Sequence, residues 1–248
     1  MCTECGCGES NEHHHGHSHG HDHDHDHDHN HNHAERVVNV QQSVLAHNDH
    51  IALHNREALD ARGVIAINLI SSPGSGKTLL LEKTLEALNG KIKCAVITGD
   101  QQTDNDARRL ANKGAKIYQI ETKTSCHLNA DQVAAALPEV LDDDTKILFI
   151  ENVGNMVCPT AFELGEHFKV ALLSTPEGED KPEKYPVLFA TAKLTLLTKM
   201  DLVDALDWDL KACQRSIQGV HPGMMTLKLS AKTGDGMKAW LDYLASLT

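Results

Sequence analysis

No apolar run in the 248 residues approaches the ~20 that a membrane span needs, so no membrane-embedded class is expected. The N-terminus has no basic-then-apolar signal pattern, which makes the cytoplasm the expected compartment. The first thirty-five residues contain no Lys or Arg against eight acidic residues. With a formal net charge of −12, the chain lacks the basic balance that nucleic-acid or anionic-membrane partners require. Setting those eight charges aside leaves about −4 (−12 plus 8), an ordinary surface for a soluble domain. Residues 13–33 contain no apolar side chain, so nothing there offsets the entropy of ordering. The seven cysteines do not make an even set, and four are scattered through the later sequence. In a reducing compartment they read as thiols or metal ligands, not as a disulfide framework.

What is present falls into zones. Cys2, Cys5 and Cys7 open the chain. Residues 13–33 then hold twelve of the eighteen histidines, alternating mostly with Asp, Asn, Gly and Ser. A purification tag would be contiguous histidine, whereas this tract is mixed and follows a cysteine cluster. The expectation is a disordered metal-binding tail over 1–34 and one globular domain over 35–248. Val37, Val40, Val44, Leu45, Ile51, Leu53 and Leu59 recur near helical spacing, predicting a helix over 35–62 that stops at Gly63. Short apolar runs at 64–70, 93–98, 116–120, 146–150, 169–174, 194–197 and 225–229 read as strands. They alternate with amphipathic stretches such as 77–88 and 237–247. That alternation predicts an α/β fold with a mainly parallel sheet covered on both faces.

The first strand runs into Ser71-Ser72-Pro73-Gly74-Ser75-Gly76-Lys77-Thr78, and a helix follows. This is the phosphate-binding loop in its strand–loop–helix setting. Gly74 and Gly76, with Ser75 between them, let backbone N–H groups curl around phosphate oxygens at a helix N-terminus. Lys77 is expected to reach the β- and γ-phosphates, and Thr78 to ligate Mg²⁺. Ser71 stands where the usual motif has its first Gly. Thr198-Lys199-Met200-Asp201 follows a later strand and matches the guanine-reading pattern. A carboxylate at Asp201 can accept from guanine N1–H and its N2 amine together, whereas adenine would leave it unmatched. Ser230-Ala231-Lys232, after the last strand, matches the loop that meets guanine O6. GTP is therefore expected, with ATP as the alternative base. Asp100 and Glu151, each at a strand end, are candidates for Mg²⁺ and catalysis, and Gly154 for the γ-phosphate. No residue is assigned as the base for the attacking water.

Cys126-His127 and Cys158 form the second candidate centre. Thiolate plus imidazole suits Zn, Ni or Cu and not Mg or Ca. The adjacent pair needs a third ligand or a second subunit. The position of Cys158, four residues past Gly154, ties it to the γ-phosphate sensor. Cys2, Cys5 and Cys7 form a separate soft-ligand cluster, spaced too tightly for a zinc finger. Cys94, in a strand, and Cys213, in a helical stretch, read as structural.

Met-Cys-Thr-Glu-Cys-Gly-Cys-Gly, the histidine tract, Ser-Ser-Pro-Gly-Ser-Gly-Lys-Thr, Gly-Asp-Gln-Gln-Thr-Asp-Asn-Asp, Cys-His-Leu, Glu-Asn-Val-Gly-Asn-Met-Val-Cys-Pro and Thr-Lys-Met-Asp occur together here. In this combination the chain resembles, over nearly its whole length, the hydrogenase nickel-incorporation GTPases of the HypB family, SIMIBI-class P-loop proteins. The resemblance implies slow GTP hydrolysis, GTP-favoured dimerisation and delivery of Ni²⁺ to the [NiFe]-hydrogenase large subunit. It also implies the partners HypA and SlyD. It places a GTPase-domain metal site, for Ni²⁺ or Zn²⁺, on Cys126, His127 and Cys158. A tight nickel site falls on Cys2, Cys5 and Cys7. The alternatives are a nickel storage protein with an incidental GTPase domain, or the related urease-type nickel GTPase.

Overall fold

The computed structural model describes residues 31–100, 105–122 and 125–248; side chains are described from Gln42 onward, apart from those of Asp100 and Asn105. Cys2, Cys5, Cys7 and the histidine tract up to residue 30 lie outside the described residues. Helix α1 (His31–Ala61) begins four residues before the expected start. Then follow β1 (Ile65–Ser71), α2 (Lys77–Leu88), β2 (Cys94–Asp100), α3 (Asn105–Leu110), β3 (Lys116–Glu121) and α4 (Ala130–Val140). The order continues with β4 (Ile147–Glu151), α5 (Cys158–Ala161), β5 (Phe168–Ser174), α6 (Lys181–Lys184) and α7 (Pro186–Thr191). The chain closes with β6 (Leu194–Thr198), α8 (Leu210–Val220), β7 (Met225–Lys228) and α9 (Met237–Ala245).

All six strand pairings are parallel, giving one seven-stranded sheet in the order β3-β2-β4-β1-β5-β6-β7. Every expected strand is there; near-continuous Val, Ile and Leu suits the central strands, which are buried on both faces, while the edge strands β3 and β7 are only partly buried. Parallel pairing carries the C-terminal ends of all strands to one edge. Strand β1 is central and flanked by β4 and β5, so the loop leaving it opens where the strand order diverges.

Helix α2 buries Leu80, Leu81, Leu85 and Leu88 at helical spacing against one sheet face, together with Trp240 of α9. Each such leucine contributes roughly 1.5–3 kcal/mol of burial. The Trp240 indole N–H donates to Thr84 Oγ1 at 3.0 Å, satisfying the one polar atom of that buried ring. Helix α4 starts with a reciprocal cap between Asn129 and Gln132 and packs on the other face beside α1.

Helix α1 forms as its periodicity predicts, yet the face it buries differs from the apolar set that suggested it. Val44 and Leu53 are exposed, and Asn48, Ala52, Asn55 and Leu59 face inward. The reason is polar anchoring. Asn48 donates to Glu163 O at 2.8 Å and accepts from Ala130 N at 2.9 Å. Asn55 donates to Ala130 O at 2.8 Å and Leu164 O at 3.0 Å. Among the described residues no helix is long and apolar enough to cross a membrane.

Candidate nucleotide and metal centre

The loop between β1 and α2 turns through Gly74 (φ 72°) and Gly76 (φ 98°), both in the left-handed region where a side chain would be strained. That turn aims the first amides of α2 into a cleft of about 510 Å³ lined by Gly74, Lys77, Thr78, Glu151, Asn152 and Gly154, among others. The volume is within the range of small-molecule sites. The Lys77 ammonium donates to Ser71 Oγ at 2.7 Å, and Ser75 Oγ also bonds that hydroxyl. Ser71 therefore holds the lysine in place, and its departure from the glycine pattern leaves the cradle intact. Burial pushes the Lys77 pKa down, opposed by the charge of Glu151. A phosphate would reverse that penalty.

Thr78 Oγ1 donates to Glu151 Oε1 at 2.7 Å. Glu151 is 2% exposed, and its Oε2 is buried with no hydrogen-bond partner. Burial raises its pKa to about 7, against the lowering effect of the Thr78 bond. An orphaned buried carboxylate oxygen beside a threonine hydroxyl is a donor set that fits Mg²⁺ or a Mg²⁺-bound water. Asp100 ends β2 at the same sheet edge; its side chain lies outside the described residues. Gly154 closes the cleft, and a Cβ there would meet Pro73 Cα at 2.9 Å, so only glycine lets this segment lie against the phosphate loop.

A second pocket, about 240 Å³, adjoins the loop and is lined by Thr198, Lys199, Asp201, Ser230, Ala231 and Lys232, with Ser75, Gly76 and leucines. Thr198 Oγ1 donates to Ser75 O at 2.8 Å, and the Lys199 ammonium to Gly74 O at 2.6 Å. The Thr198–Asp201 segment is thus bonded to the phosphate loop although Thr198 lies 123 positions beyond Ser75. Ser230 Oγ donates to Asp201 Oδ1 at 2.6 Å, orienting the carboxylate on an exposed rim that a base would cover.

Cys126, His127 and Cys158 come together, with one ligand atom of each all within 4.8 Å of one another. Bond lengths of about 2.3 Å for sulfur and 2.0–2.1 Å for nitrogen put ligand atoms about 3–4 Å apart around one ion, so closing the widest separation needs about 1–2 Å. Cys158 stands where a third ligand for the adjacent pair would be needed. His127 is buried and stacks on Phe162 with centroids 3.9 Å apart. Two thiolates and an imidazole fit Ni²⁺ or Zn²⁺. Cys94 and Cys213 sit in the core, where burial pushes both thiols up to about 12.

The two centres are joined by buried amides that the sequence reading did not single out. Asn152 is 1% exposed; its Oδ1 accepts from Val153 N at 3.0 Å and from Leu128 N, next to His127, at 3.3 Å. Its Nδ2 donates to Asn68 Oδ1 at 3.3 Å, and Asn68 donates to Glu166 Oε1 at 3.0 Å. Glu166 Oε2 accepts from Leu164 N at 2.7 Å, just beyond the turn carrying Cys158 and Phe162. Burial raises the Glu166 pKa, reinforced by the Glu163 charge and opposed by Lys169. Asp106, the last residue of the Gly-Asp-Gln-Gln-Thr-Asp-Asn-Asp stretch, and Arg109, which no motif announced, also line the phosphate cleft.

The profile of the CobW/HypB/UreG nucleotide-binding domain matches residues 65–228. The chain belongs to the CobW/HypB/UreG family. It is 49% identical over 209 residues to the hydrogenase maturation factor HypB of Escherichia coli strain K12, covering 84% of this chain and 72% of that protein. The crystal structure of HypB from Helicobacter pylori in complex with nickel superposes with a TM-score of 0.76 at 34% identity, over 80% of this chain and 94% of that one. HypB from Archaeoglobus fulgidus gives 0.77 at 36% identity, over 82% and 100%. The CobW/HypB/UreG fold accounts for the parallel sheet and the nucleotide cleft, and places the chain in a group of P-loop GTPases.

Proposed function

We propose that this chain is a GTP-hydrolysing nickel metallochaperone that helps insert Ni²⁺ into the large subunit of [NiFe]-hydrogenase. The observation that carries the reading is the Cys126–His127–Cys158 trio, whose neighbour Leu128 is bonded by Asn152 together with Val153, the residue before Gly154. The names of the relatives supply hydrogenase maturation and nickel; the donor set of this chain is chemically suited to that ion.

In this reading Gly74, Ser75 and Gly76 cradle the phosphates and Lys77 neutralises the β- and γ-oxygens. Thr78, Glu151 and Asp100 would hold Mg²⁺, directly or through water. When bound, Mg²⁺ would add charge neutralisation across the β- and γ-phosphate oxygens. Lys77, Thr78, Asp100 and Glu151 form the catalytic set, and the rate is slow. Gly154 offers its N–H to the γ-phosphate. Thr198, Lys199 and Asp201 read guanine, with Ser230, Ala231 and Lys232 closing over its O6 edge.

GTP contact at Gly154 pulls on Asn152, and Asn152 holds the residue after His127, so nucleotide state alters the grip on the ion. Cys2, Cys5 and Cys7 supply a tighter nickel site, and the histidine tract a store of weakly held ions. Zn²⁺ is a competing occupant of the trio. HypA, SlyD and a GTP-favoured second copy are the partners of this role.

The deciding experiment measures Ni²⁺ and Zn²⁺ affinity of the full chain, and of Cys126→Ala/Cys158→Ala, with GDP and with a non-hydrolysable GTP analogue. Metal bound by the trio should change affinity with the nucleotide, and by linkage metal should change nucleotide affinity by the same factor. Equal affinity in both states removes the coupling. Normal GTP turnover in a chain lacking residues 13–33 would count against a storage protein with an incidental GTPase domain.

A further inference from the structure

Outside both centres, α1 carries a stripe of His47, His50, His54 and Glu57 on its exposed side. The inward anchors Asn48, Ala52, Asn55 and Leu59 fix the rotation of the helix, so this stripe is held toward solvent. His50 and His54 lie one turn apart, their ring centroids 4.6 Å from each other at an interplanar angle of 81°. His54 Nδ1 lies 3.2 Å from Glu57 Oε2. His47 turns the other way, with Nε2 3.9 Å from Asp131 Oδ2 on α4.

Histidines at i and i+4 on one helix face have the spacing by which two rings reach a single ion. A carboxylate on one ring nitrogen fixes the tautomer and leaves the other nitrogen as an acceptor, as in the outer shells of metal-bound histidines. With metal–nitrogen bonds of about 2.0–2.1 Å, rings at this separation can each turn a nitrogen to the same ion. We propose that His50 and His54, oriented by Glu57, form a second, solvent-facing site for a borderline divalent ion of the Ni²⁺ and Zn²⁺ class.

Imidazole without thiolate makes this site weaker and faster-exchanging than the buried trio. Its place gives it a use. The histidine tract runs directly into α1, and Asn48, between His47 and His50, bonds Ala130 N, three residues past His127. An ion leaving the tract therefore meets this pair on the helix that braces the Cys126–His127 turn. The assignment of Ni²⁺ as cargo rests on the proposed function, but the site is tested without GTP turnover, so the two can fail separately.

The test is carbethoxylation of the full chain by diethyl pyrocarbonate with Ni²⁺ alone added beyond the capacity of the tract. Each histidine is read by peptide mass spectrometry, with His221 as the reference. His50 and His54 should become protected together along one saturation curve, with no protection by Mg²⁺. In His54→Asn, with helix content by circular dichroism unchanged, His50 should lose its protection. Glu57→Ala should raise the Ni²⁺ concentration for half-protection by about tenfold, the scale of losing an outer-shell partner. Absence of Ni²⁺ protection in the native chain, or protection of His50 that persists without His54, would overturn the site.

Discussion

Replacing Glu151 by Gln in the metal-free protein separates the cost of burying this carboxyl from its use. The native carboxyl keeps its proton up to about pH 7, whereas the unfolded one has a model value of 4.5. Between those values unfolding releases a proton, so stability falls as pH rises, and the penalty is complete above pH 7. A gap of that size is worth about 3 kcal/mol at 1.36 kcal/mol per unit. Gln keeps an acceptor for the Thr78 hydroxyl, which donates at 2.7 Å, and removes only the ionisation. Any fixed cost of the new amide is independent of pH and cancels in the comparison. Urea unfolding in the presence of a chelator should therefore show Glu151→Gln gaining about 2–3 kcal/mol on the native chain between pH 5 and pH 8. With Mg²⁺ and nucleotide the order should reverse, because the substituted chain loses a ligand. A gap that does not change with pH would refute the burial argument and, with it, the reading of Oε2 as a waiting ligand atom.

Asp201→Asn should weaken GTP by about 1–3 kcal/mol and strengthen XTP, whose C2 carbonyl accepts from the new amide; nucleotide titrations that leave the GTP preference unchanged would remove the guanine assignment. Asn152→Ala leaves Leu128 N, Val153 N and Asn68 Oδ1 without their buried partner, and should cost about 2–4 kcal/mol in unfolding measurements. The same substitution should flatten the difference in metal affinity between the GDP and GTP-analogue states. Alkylation by iodoacetamide near neutral pH should reach Cys126, which is partly exposed, well before Cys94 and Cys213, whose thiols are buried and pushed up to about 12. Equal labelling of all three on mass spectrometry would contradict the packed strand and helix positions.

The linear pattern was sufficient wherever the cause is local. Seven runs rich in apolar residues became seven parallel strands: the central ones are covered on both faces and nearly all apolar, while the edge strands β3 and β7 are only partly buried and carry Lys116, Gln119 and Lys228. Lys77 to Leu88 is helix to the residue, since the phosphate loop and its leucine spacing both lie within one short stretch. Motif order also grouped Thr198, Lys199 and Asp201, which line one pocket beside the phosphate loop. Tertiary structure decided what depends on residues meeting across long separations. Lys199 bonds Gly74 across 125 positions, and Asn68 reaches Glu166 across 98. Asparagines give no hydrophobic period, so Asn48, Asn55, Asn68 and Asn152 were silent in the sequence although they tie α1 and both centres together. Their bonds go to backbone groups, to one another and to the Glu166 carboxylate, whose positions exist only once the sheet has formed. The inward face of α1 follows the same logic: a helix buries the side that finds partners, and here Asn48, Ala52, Asn55 and Leu59 are covered while Val44 and Leu53 stay exposed.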